Sequence, residues 1–283
     1  MTAQRIAFLD VDGTILDHGR AIAPSTVNAV RTARANGHLV YLCTGRAEGD
    51  IHEEVRSIGF DGAITNGGAF VTRGDELLVS HPMPRADTDR LVQYFHDNGI
   101  HYFLQTHETV YASEGIARLF GGFAAKLRGR RYEPGDDSID AIAEPVAEFP
   151  YRTADEADLD QVVKTTFISE TSDSLDRAQE DLGDRYHVIP GSMPMPGGSN
   201  GEIALLGVNK GAAILELLAI LEIDAADAIG IGDSWNDVEM FDVVGTPIAM
   251  GNADPEIQAR AGRVTTAVLD DGVWNAFVEL GLV

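Results

Sequence analysis

The chain has 283 residues, 44% of them hydrophobic, and a formal net charge of -24 at pH 7. This length and apolar content suffice for two domains with buried cores. The large negative charge argues against nucleic acid or an anionic membrane as a partner, because both require a basic surface.

No stretch of the sequence has the features of a membrane span or an export signal. The apolar runs are shorter than the roughly 20 residues that a transmembrane helix needs, and the N-terminus, MTAQRIAFLD, lacks a basic region followed by an apolar one. The single cysteine, Cys43, and the scattered histidines provide neither a disulfide framework nor a Cys/His zinc spacing. We therefore predict a cytoplasmic protein in which any bound metal has oxygen ligands.

Two acidic residues, Asp10 and Asp12, directly follow an apolar run at residues 6–9 that predicts a buried strand. In an open α/β sheet, ligands bind at the carboxyl ends of the strands. The alternation of a strand would place both carboxylates on one side, where they repel each other unless a cation or a proton compensates. The pair therefore indicates a divalent metal site, a nucleophile with an acid/base partner, or both together, and the alternative is a strand followed by a solvated Asp-Gly turn.

The next elements complete a right-handed β-α-β unit with a parallel sheet, because a helical period at residues 26–35 precedes a second apolar run at 38–43. A third strand is predicted at residues 62–65. The polar or turn residues that follow the second and third strands are Thr44, Gly45, Arg46 and Asn66. Parallel strands end at the same edge of a sheet, so we expect these residues to lie near the two aspartates.

From about Pro84 the regular alternation of strand and helix stops. The elements predicted there are a helix at 87–98, strands at 102–105 and 110–112, a helix at 113–127 and a strand at 164–169. Such a region is typical of a second domain inserted into the first. We predict an α/β protein in which a Rossmann-like doubly wound parallel-sheet core, residues 1–83 and 206–283, carries an inserted α+β cap domain at 84–205.

The last third of the chain returns to the α/β pattern. Lys210 opens an amphipathic helix at residues 210–221, and an apolar run at 228–232 predicts another strand. The polar residues after that strand are Asp233, Asn236 and Asp237. The remaining predicted elements are helices at 238–243, 255–261 and up to about residue 280, and strands at 247–250 and 263–265.

Several strand and helix ends thus carry chemically active side chains at one predicted sheet edge. A cluster of carboxylates repels itself, but it becomes favourable around Mg²⁺, a hard cation that takes oxygen ligands. Lys210 and Thr44 would then supply a positive charge and a hydroxyl donor to an anionic oxygen. Preorganised donors of this kind are the main catalytic contribution in phosphoryl transfer.

Four short motifs carry a resemblance to a known family. They are DVDGT at 10–14, TGR at 44–46, the lysine at 210 and GDSWND at 232–237. In this order and setting the sequence resembles the haloacid dehalogenase superfamily of phosphotransferases. The further segments TNGGA, GVNKGAA, AMGNA and VLDDGV resemble its Cof-like subclass IIB, whose members carry an inserted α/β cap.

The resemblance implies a role for each matching acid. Asp10 would be the nucleophile that forms an aspartyl-phosphate, and Asp12 would be the general acid and later the general base. Mg²⁺ would be held by the Asp10 carboxylate, the main-chain carbonyl of Asp12 and the Asp233 carboxylate, with Asp237 completing or supporting this set.

The resemblance also implies a phosphate site. Thr44, Gly45 and Lys210 would bind the transferring phosphoryl group, and Asn236 would orient the substrate or the lysine. Arg46 and Asn66 would contact the phosphate or the cap.

The implied function is that of a Mg²⁺-dependent phosphatase acting on phosphomonoesters of small metabolites, either sugar phosphates or cofactor-like phosphates. The expected partner is thus a small phosphorylated metabolite, with neither nucleic acid nor membrane, and the oligomeric state is left open. A phosphomutase of the same superfamily and a catalytically silent phosphate-binding regulator are the alternatives.

Overall fold

The computed structural model of the protein describes residues 4–17, 21–107, 109–116, 119, 151–191 and 197–283. The chain divides into two compact units, one formed by Met1–His81 with Gly207–Val283 and the other by Pro82–Leu206. The second unit spans nearly the same residues as the inserted domain that the sequence predicts at 84–205. Among the described residues, no helix has the length and apolar composition needed to cross a bilayer.

Among its described residues, the first unit contains a seven-stranded sheet, a two-stranded antiparallel sheet and six α-helices. Its strands are β1 (Ile6–Leu9), β2 (Leu16–Asp17), β3 (Ala21–Ile22), β4 (Leu39–Cys43), β5 (Gly62–Thr65), β6 (Phe70–Arg73), β7 (Glu76–Ser80), β14 (Ala228–Gly232) and β15 (Thr246–Ala249), while β8–β13 belong to the second unit. Its helices are α1 (Pro24–Ala35), α2 (Glu53–Arg56), α5 (Lys210–Leu221), α6 (Val238–Val243), α7 (Pro255–Ala261) and α8 (Gly272–Glu279), while α3 and α4 belong to the second unit.

The large sheet has the order β15-β14-β1-β4-β5-β6-β7. The first five of these strands run parallel, and β6 and β7 form an antiparallel hairpin at the edge. Because parallel strands end at one edge, the residues that follow β1, β4, β5 and β14 come together there.

Helices cover both faces of this sheet, and the alternation of β1 shows why. Ile6 and Phe8 pack into a core that includes residues of α5, α6 and α7. Ala7 and Leu9 point the other way, into a core with residues of α1 and α8. All four side chains are buried, as expected for a strand between two helical layers. The predicted doubly wound α/β fold is confirmed.

One predicted strand of this unit was wrong. Residues 263–265 form only an isolated bridge between Val264 and Ala249. Val264 is 51% exposed, so little apolar burial supports a longer strand at this edge.

The second unit is a six-stranded, mostly antiparallel sheet with the order β10-β9-β8-β11-β13-β12. Its strands are β8 (His101–Gln105), β9 (Val110–Ala112), β10 (Arg152–Thr153), β11 (Lys164–Ser169), β12 (Tyr186–Pro190) and β13 (Ser199–Leu205). Helices α3 (Arg85–Asn98) and α4 (Ser174–Leu182) contribute to its core with Leu91, Phe95 and Ala178. Most of the helix predicted at 113–127 lies outside the described residues.

Candidate active site

Asp10 is the first residue after β1, and only 3% of its surface is exposed. Its main-chain N–H donates to the carbonyl of Ile231 at 3.0 Å, which ties this point to β14. The chain then turns back, and the N–H of Leu16 donates to the carbonyl of Val11 at 2.8 Å. The turn buries the Asp10 carboxylate at the sheet edge and leaves the side chain of Asp12 52% exposed.

Lys210, the first residue of α5, connects β1 to the segment after β14. Asn209 caps the helix by accepting a backbone N–H at 2.8 Å, which fixes where the helix begins. The Lys210 ammonium donates to Asp10 Oδ1 at 2.7 Å, to Asp237 Oδ1 at 2.6 Å and to Asn236 Oδ1 at 3.1 Å. An ammonium has three donors, so these three bonds use its full capacity in a site where it is 1% exposed.

Asp237 organises the turn that follows β14. Its Oδ2 accepts from the N–H groups of Asp233 at 2.9 Å and Ser234 at 3.1 Å, while its Oδ1 accepts from Lys210. Ser234 and Asp237 form a capping box at the start of a 3₁₀ turn, a pattern that satisfies free N–H groups at a helix start. Both oxygens of the completely buried Asp237 are therefore bonded within the protein.

The buried acids have strongly altered proton affinities. Burial, reinforced by the charges of Asp237 and Asp233 and opposed by Lys210, raises the pKa of Asp10 to about 8. Burial and the charge of Asp237 raise the pKa of Asp233 to about 7. Burial alone would lower the pKa of Lys210, but the charges of Asp10 and Asp237 outweigh it and raise that pKa. If all three acids were ionised, their negative charge would exceed what a single lysine balances, so without a further cation Asp10 and Asp233 retain protons to a higher pH than usual.

The carboxylates of Asp10, Asp233 and Asp237 each place one oxygen within 4.8 Å of the others, and they form a candidate metal site within the described part of the chain. Asp233 Oδ1 is buried and has no hydrogen-bond partner. An unpartnered buried carboxylate oxygen is costly unless a cation or a proton approaches it. All these donors are oxygens, so the site suits a hard divalent cation.

The loop after β4 lies beside this cluster. Thr44 is 1% exposed, and its Oγ1 accepts from the N–H of Arg46 at 3.1 Å, which leaves the hydroxyl proton available for another acceptor. The Asn236 carbonyl oxygen accepts from Lys210 and from Ser234 Oγ at 2.8 Å. The amide nitrogen of Asn236 therefore lies on the side of Gly45, where it would be 3.6 Å from an added Cβ.

Asn66 and Arg46 are joined through the backbone, because the Asn66 N–H donates to the carbonyl of Arg46 at 2.7 Å. Asn66 is buried and adopts a left-handed conformation with φ 51°. Gly68, two residues on, has φ 110°, and a Cβ there would lie 2.2 Å from the carbonyl oxygen of Asn209. Glycine thus lets this turn approach the start of α5. The Arg46 side chain pairs with Asp12.

Two supporting residues were missed by the sequence analysis. Ser234 holds the Asn236 amide, and its capping-box spacing to Asp237 is a recognisable signal. Asn252 follows β15 at the same sheet edge, donates to the carbonyl of Gly13 at 2.8 Å and accepts from the N–H of Val268 at 3.2 Å. Its position just after a parallel strand could have identified Asn252 as a residue of this sheet edge.

Gly13 offers a test of how tightly the loop after β1 fits the Asp233 carboxylate. Gly13 has φ 78°, and a Cβ there would lie 2.0 Å from Asp233 Oδ2. Gly37 has φ 90° with no atom within 4 Å of an added Cβ, so it is a matched control for backbone strain alone. In denaturant unfolding we expect Gly37→Ala to cost about 1–2 kcal/mol and Gly13→Ala at least about 2 kcal/mol more. Equal losses would show that the carboxylate moves aside without cost.

The chain is similar to known proteins in sequence and in fold. Residues 7–277 match the family model described as haloacid dehalogenase-like hydrolase. The chain is 28% identical over 287 residues to the putative phosphatase YkrA of Bacillus subtilis, covering 98% of each. It is 26% identical over 271 residues to the 5-amino-6-(5-phospho-D-ribitylamino)uracil phosphatase YwtE of the same species, covering 94% of each. Its fold is similar to that of the HAD subclass IIB sugar phosphatase BT4131, with a TM-score of 0.77 and 19% identity over 99% of this chain and 100% of that chain.

Proposed function

The chain belongs to the haloacid dehalogenase-like hydrolase family, and we propose that it hydrolyses phosphomonoesters of small metabolites through an aspartyl-phosphate formed at Asp10. The family match spans residues 7–277 of 283. The chain is accordingly a phosphoric monoester hydrolase.

The observation that carries the proposal is the buried pair of Asp10 and Lys210, whose Oδ1 and Nζ atoms are 2.7 Å apart. This bond engages Oδ1, and in the proposed reaction the second oxygen, Oδ2, is the attacking atom. A buried ion pair contributes little or no net stability compared with apolar residues of the same size. Its position at the carboxyl edge of a parallel sheet therefore favours a chemical role over a structural one.

Two displacements at phosphorus complete the reaction. In the first, Asp10 Oδ2 forms a bond to phosphorus, and the bond to the leaving oxygen breaks with its electron pair remaining on that oxygen. Asp12 donates a proton to this oxygen. In the second, Asp12 takes a proton from water as the water oxygen attacks phosphorus, which releases inorganic phosphate and restores the Asp10 carboxylate. A nucleophile used in this way divides one difficult displacement into two easier ones.

The loop after β4 and Asn236 would provide donors for the phosphoryl oxygens, namely the Thr44 hydroxyl, the backbone N–H groups at Gly45 and the Asn236 amide nitrogen. The three N–H donors of Lys210 are used on Asp10, Asn236 and Asp237, so Lys210 would contribute its positive charge. Such fixed donors stabilise charge on the transferring group without having to reorganise during the reaction. Asn66 supports this loop through its backbone.

Mg²⁺ fits the acidic cluster, because the donors are oxygens and one of them, Asp233 Oδ1, is buried without a partner. Asp10 and Asp233 would hold the ion together with the carbonyl of Asp12. Asp237, whose two oxygens are bonded to Lys210 and to backbone N–H groups, would support the site. When bound, the ion supplies positive charge to the phosphoryl oxygens.

The proposed substrates are small phosphorylated metabolites, either sugar phosphates or cofactor-like phosphates. The names of two similar proteins support these substrate classes. YwtE is named for a phosphoribitylamino-uracil, and BT4131 is described as a sugar phosphatase. Both are similar to this chain over more than nine-tenths of its length.

A screen of phosphorylated metabolites for release of inorganic phosphate, with Mg²⁺ and with EDTA, tests the proposal. We expect turnover with Mg²⁺ and a loss of at least about 10²-fold with EDTA, because the carboxylates then face the phosphate uncompensated. Mg²⁺ at about 100 times its Kd should stabilise the fold by about 2.7 kcal/mol, seen as a higher Tm. If neither the rate nor the Tm responded to EDTA, the protein would not use a bound metal ion. A requirement for a bisphosphate activator, with little phosphate released, would instead identify a phosphomutase.

A further inference from the structure

Arg46 forms a two-point ion pair with Asp12. Its Nε donates to Asp12 Oδ2 and its Nη2 donates to Asp12 Oδ1, both at 2.7 Å. A planar guanidinium facing a carboxylate in this way is among the strongest and most directional side-chain pairs. Both oxygens of the proposed acid/base residue are therefore held by one arginine.

The arginine is itself anchored on the loop that carries it. Its Nη1 donates to the carbonyl of Asp50 at 2.8 Å, and its main-chain N–H donates to Thr44 Oγ1 at 3.1 Å. Its own carbonyl accepts from the N–H of Asn66 at 2.7 Å. The Arg46 side chain is 22% exposed and that of Asp12 is 52% exposed. Arg46 is thus the fixed member of the pair, and it determines where the Asp12 carboxylate lies.

From this geometry we propose that Arg46 is a positioning residue that acts through Asp12, and that it is not a ligand of the transferring phosphoryl group. The inference rests on the proposed function, which gives Asp12 the proton transfers. Three of the five N–H donors of the guanidinium are used on Asp12 and on the Asp50 carbonyl. Using the Nε and Nη2 donors on a phosphoryl group would remove the partner that orients Asp12.

The pair also defines how the proton moves. When Asp12 carries its proton, one carboxyl oxygen is an O–H donor and only the other still accepts from Arg46. In the proposed first displacement this O–H donates its proton to the leaving oxygen, whose bond to phosphorus breaks with the electron pair remaining on that oxygen. In the second displacement, water returns a proton to Asp12. Arg46 therefore orients the same carboxyl group in both steps.

The test compares leaving groups of very different basicity in wild type, Arg46→Gln and Arg46→Lys. Proton donation matters greatly to an alkoxide and little to p-nitrophenolate. For Arg46→Gln we expect the single-turnover rate with an alkyl phosphate to fall about 30-fold, against about 10²–10⁴-fold for losing general acid–base catalysis entirely. The rate with p-nitrophenyl phosphate should fall only about threefold, and KM should change less than kcat. Arg46→Lys keeps the charge without the two-point geometry and should recover part of the alkyl rate.

Two further measurements separate an effect through Asp12 from direct phosphate binding. In an Asp12→Asn background, Arg46→Gln should cost less than about twofold in rate, because the group through which it acts is already gone. Binding of inorganic phosphate, measured by calorimetry on the same variants, should change less than about threefold on removing Arg46. Thermal unfolding of each variant confirms that the fold is retained.

Three results would overturn the inference. They are equal rate losses with the two leaving groups, an undiminished loss in the Asp12→Asn background, and a loss of phosphate affinity of about tenfold or more. Failure of the wild type to release phosphate from any phosphomonoester would instead count against the proposed function. Phosphate binding needs no turnover, so it decides even then whether Arg46 contacts the phosphoryl group.

Discussion

Asp10→Asn should lower kcat for phosphate release by at least about 10⁴-fold, because the amide cannot form the covalent intermediate and other groups recover little of a lost nucleophile. The variant should still fold. Asparagine keeps an oxygen that can accept from Lys210, at the position where Asp10 Oδ1 accepts at 2.7 Å. The folded-state pKa of Asp10 is raised to about 8 from 3.8, so its ionised form costs stability above pH 3.8. Metal-free Asp10→Asn should therefore have a Tm no lower than that of the wild type.

The matched control for this substitution is Asp75→Asn. Asp75 is an exposed aspartate in the turn between β6 and β7, so the same change of charge there should leave kcat within about twofold of wild type. Phosphate release and thermal unfolding are measured on both variants with and without Mg²⁺. If Asp10→Asn turned over at more than about a tenth of the wild-type rate, Asp10 would not be the nucleophile.

Lys210→Met should have the second largest effect, because it removes the cation shared by Asp10, Asp237 and Asn236. Removing one partner of a buried ion pair costs about 3–5 kcal/mol. In the metal-free protein, we expect the free energy of unfolding to fall by about 3 kcal/mol, at the lower end of this range. The loss is limited because Asp10, whose pKa is already raised, takes up a proton when the lysine is removed. Loss of a preorganised charge at the phosphoryl group should also lower kcat by about 10²–10³-fold.

Lys164→Met provides the matched control for the loss of a buried lysine. Lys164 is in the second unit, its side chain is 6% exposed, and its Nζ lies 2.9 Å from Glu202 Oε2. Its removal should also cost stability, while kcat with p-nitrophenyl phosphate should stay within about threefold of wild type. The kcat values of Lys210→Met and Lys164→Met are measured at a temperature where both variants are folded. Equal losses of kcat would mean that Lys210 affects turnover only through stability.

The core fold was predictable because its strands are continuous apolar runs that end in polar residues. β1 has four buried apolar residues before Asp10, and this pattern alone locates the strand, its end and the acid. The second unit was harder to predict. Helix α4 buries only Ser174, Ala178 and Leu182 in an acidic segment, and its apolar stripe was too narrow to be recognised. In β12, buried Tyr186 and Val188 alternate with exposed His187, an alternation too short to predict a strand by itself.

In the candidate site, the sequence predicted which residues come together but not how their side chains pair. The order of motifs indicated which residues gather at the sheet edge, including Asp10, Lys210 and Asp233. It did not indicate that Asp237 uses both oxygens within the protein. It also did not indicate that Arg46 faces Asp12. Such pairings depend on side-chain directions in loops that meet only after folding, so motif spacing does not contain them.

The most direct test of the account is to locate the phosphoryl group on the enzyme. Wild type and Asp12→Asn are mixed with a phosphomonoester and Mg²⁺, quenched in acid within one turnover, digested and analysed by mass spectrometry. The account predicts one phosphoryl group, attached to Asp10. This phosphoryl group should persist longer in Asp12→Asn, because the base that activates water is missing. Phosphate release with a phosphoryl group on another residue, or with none on the protein at any time in either variant, would contradict it.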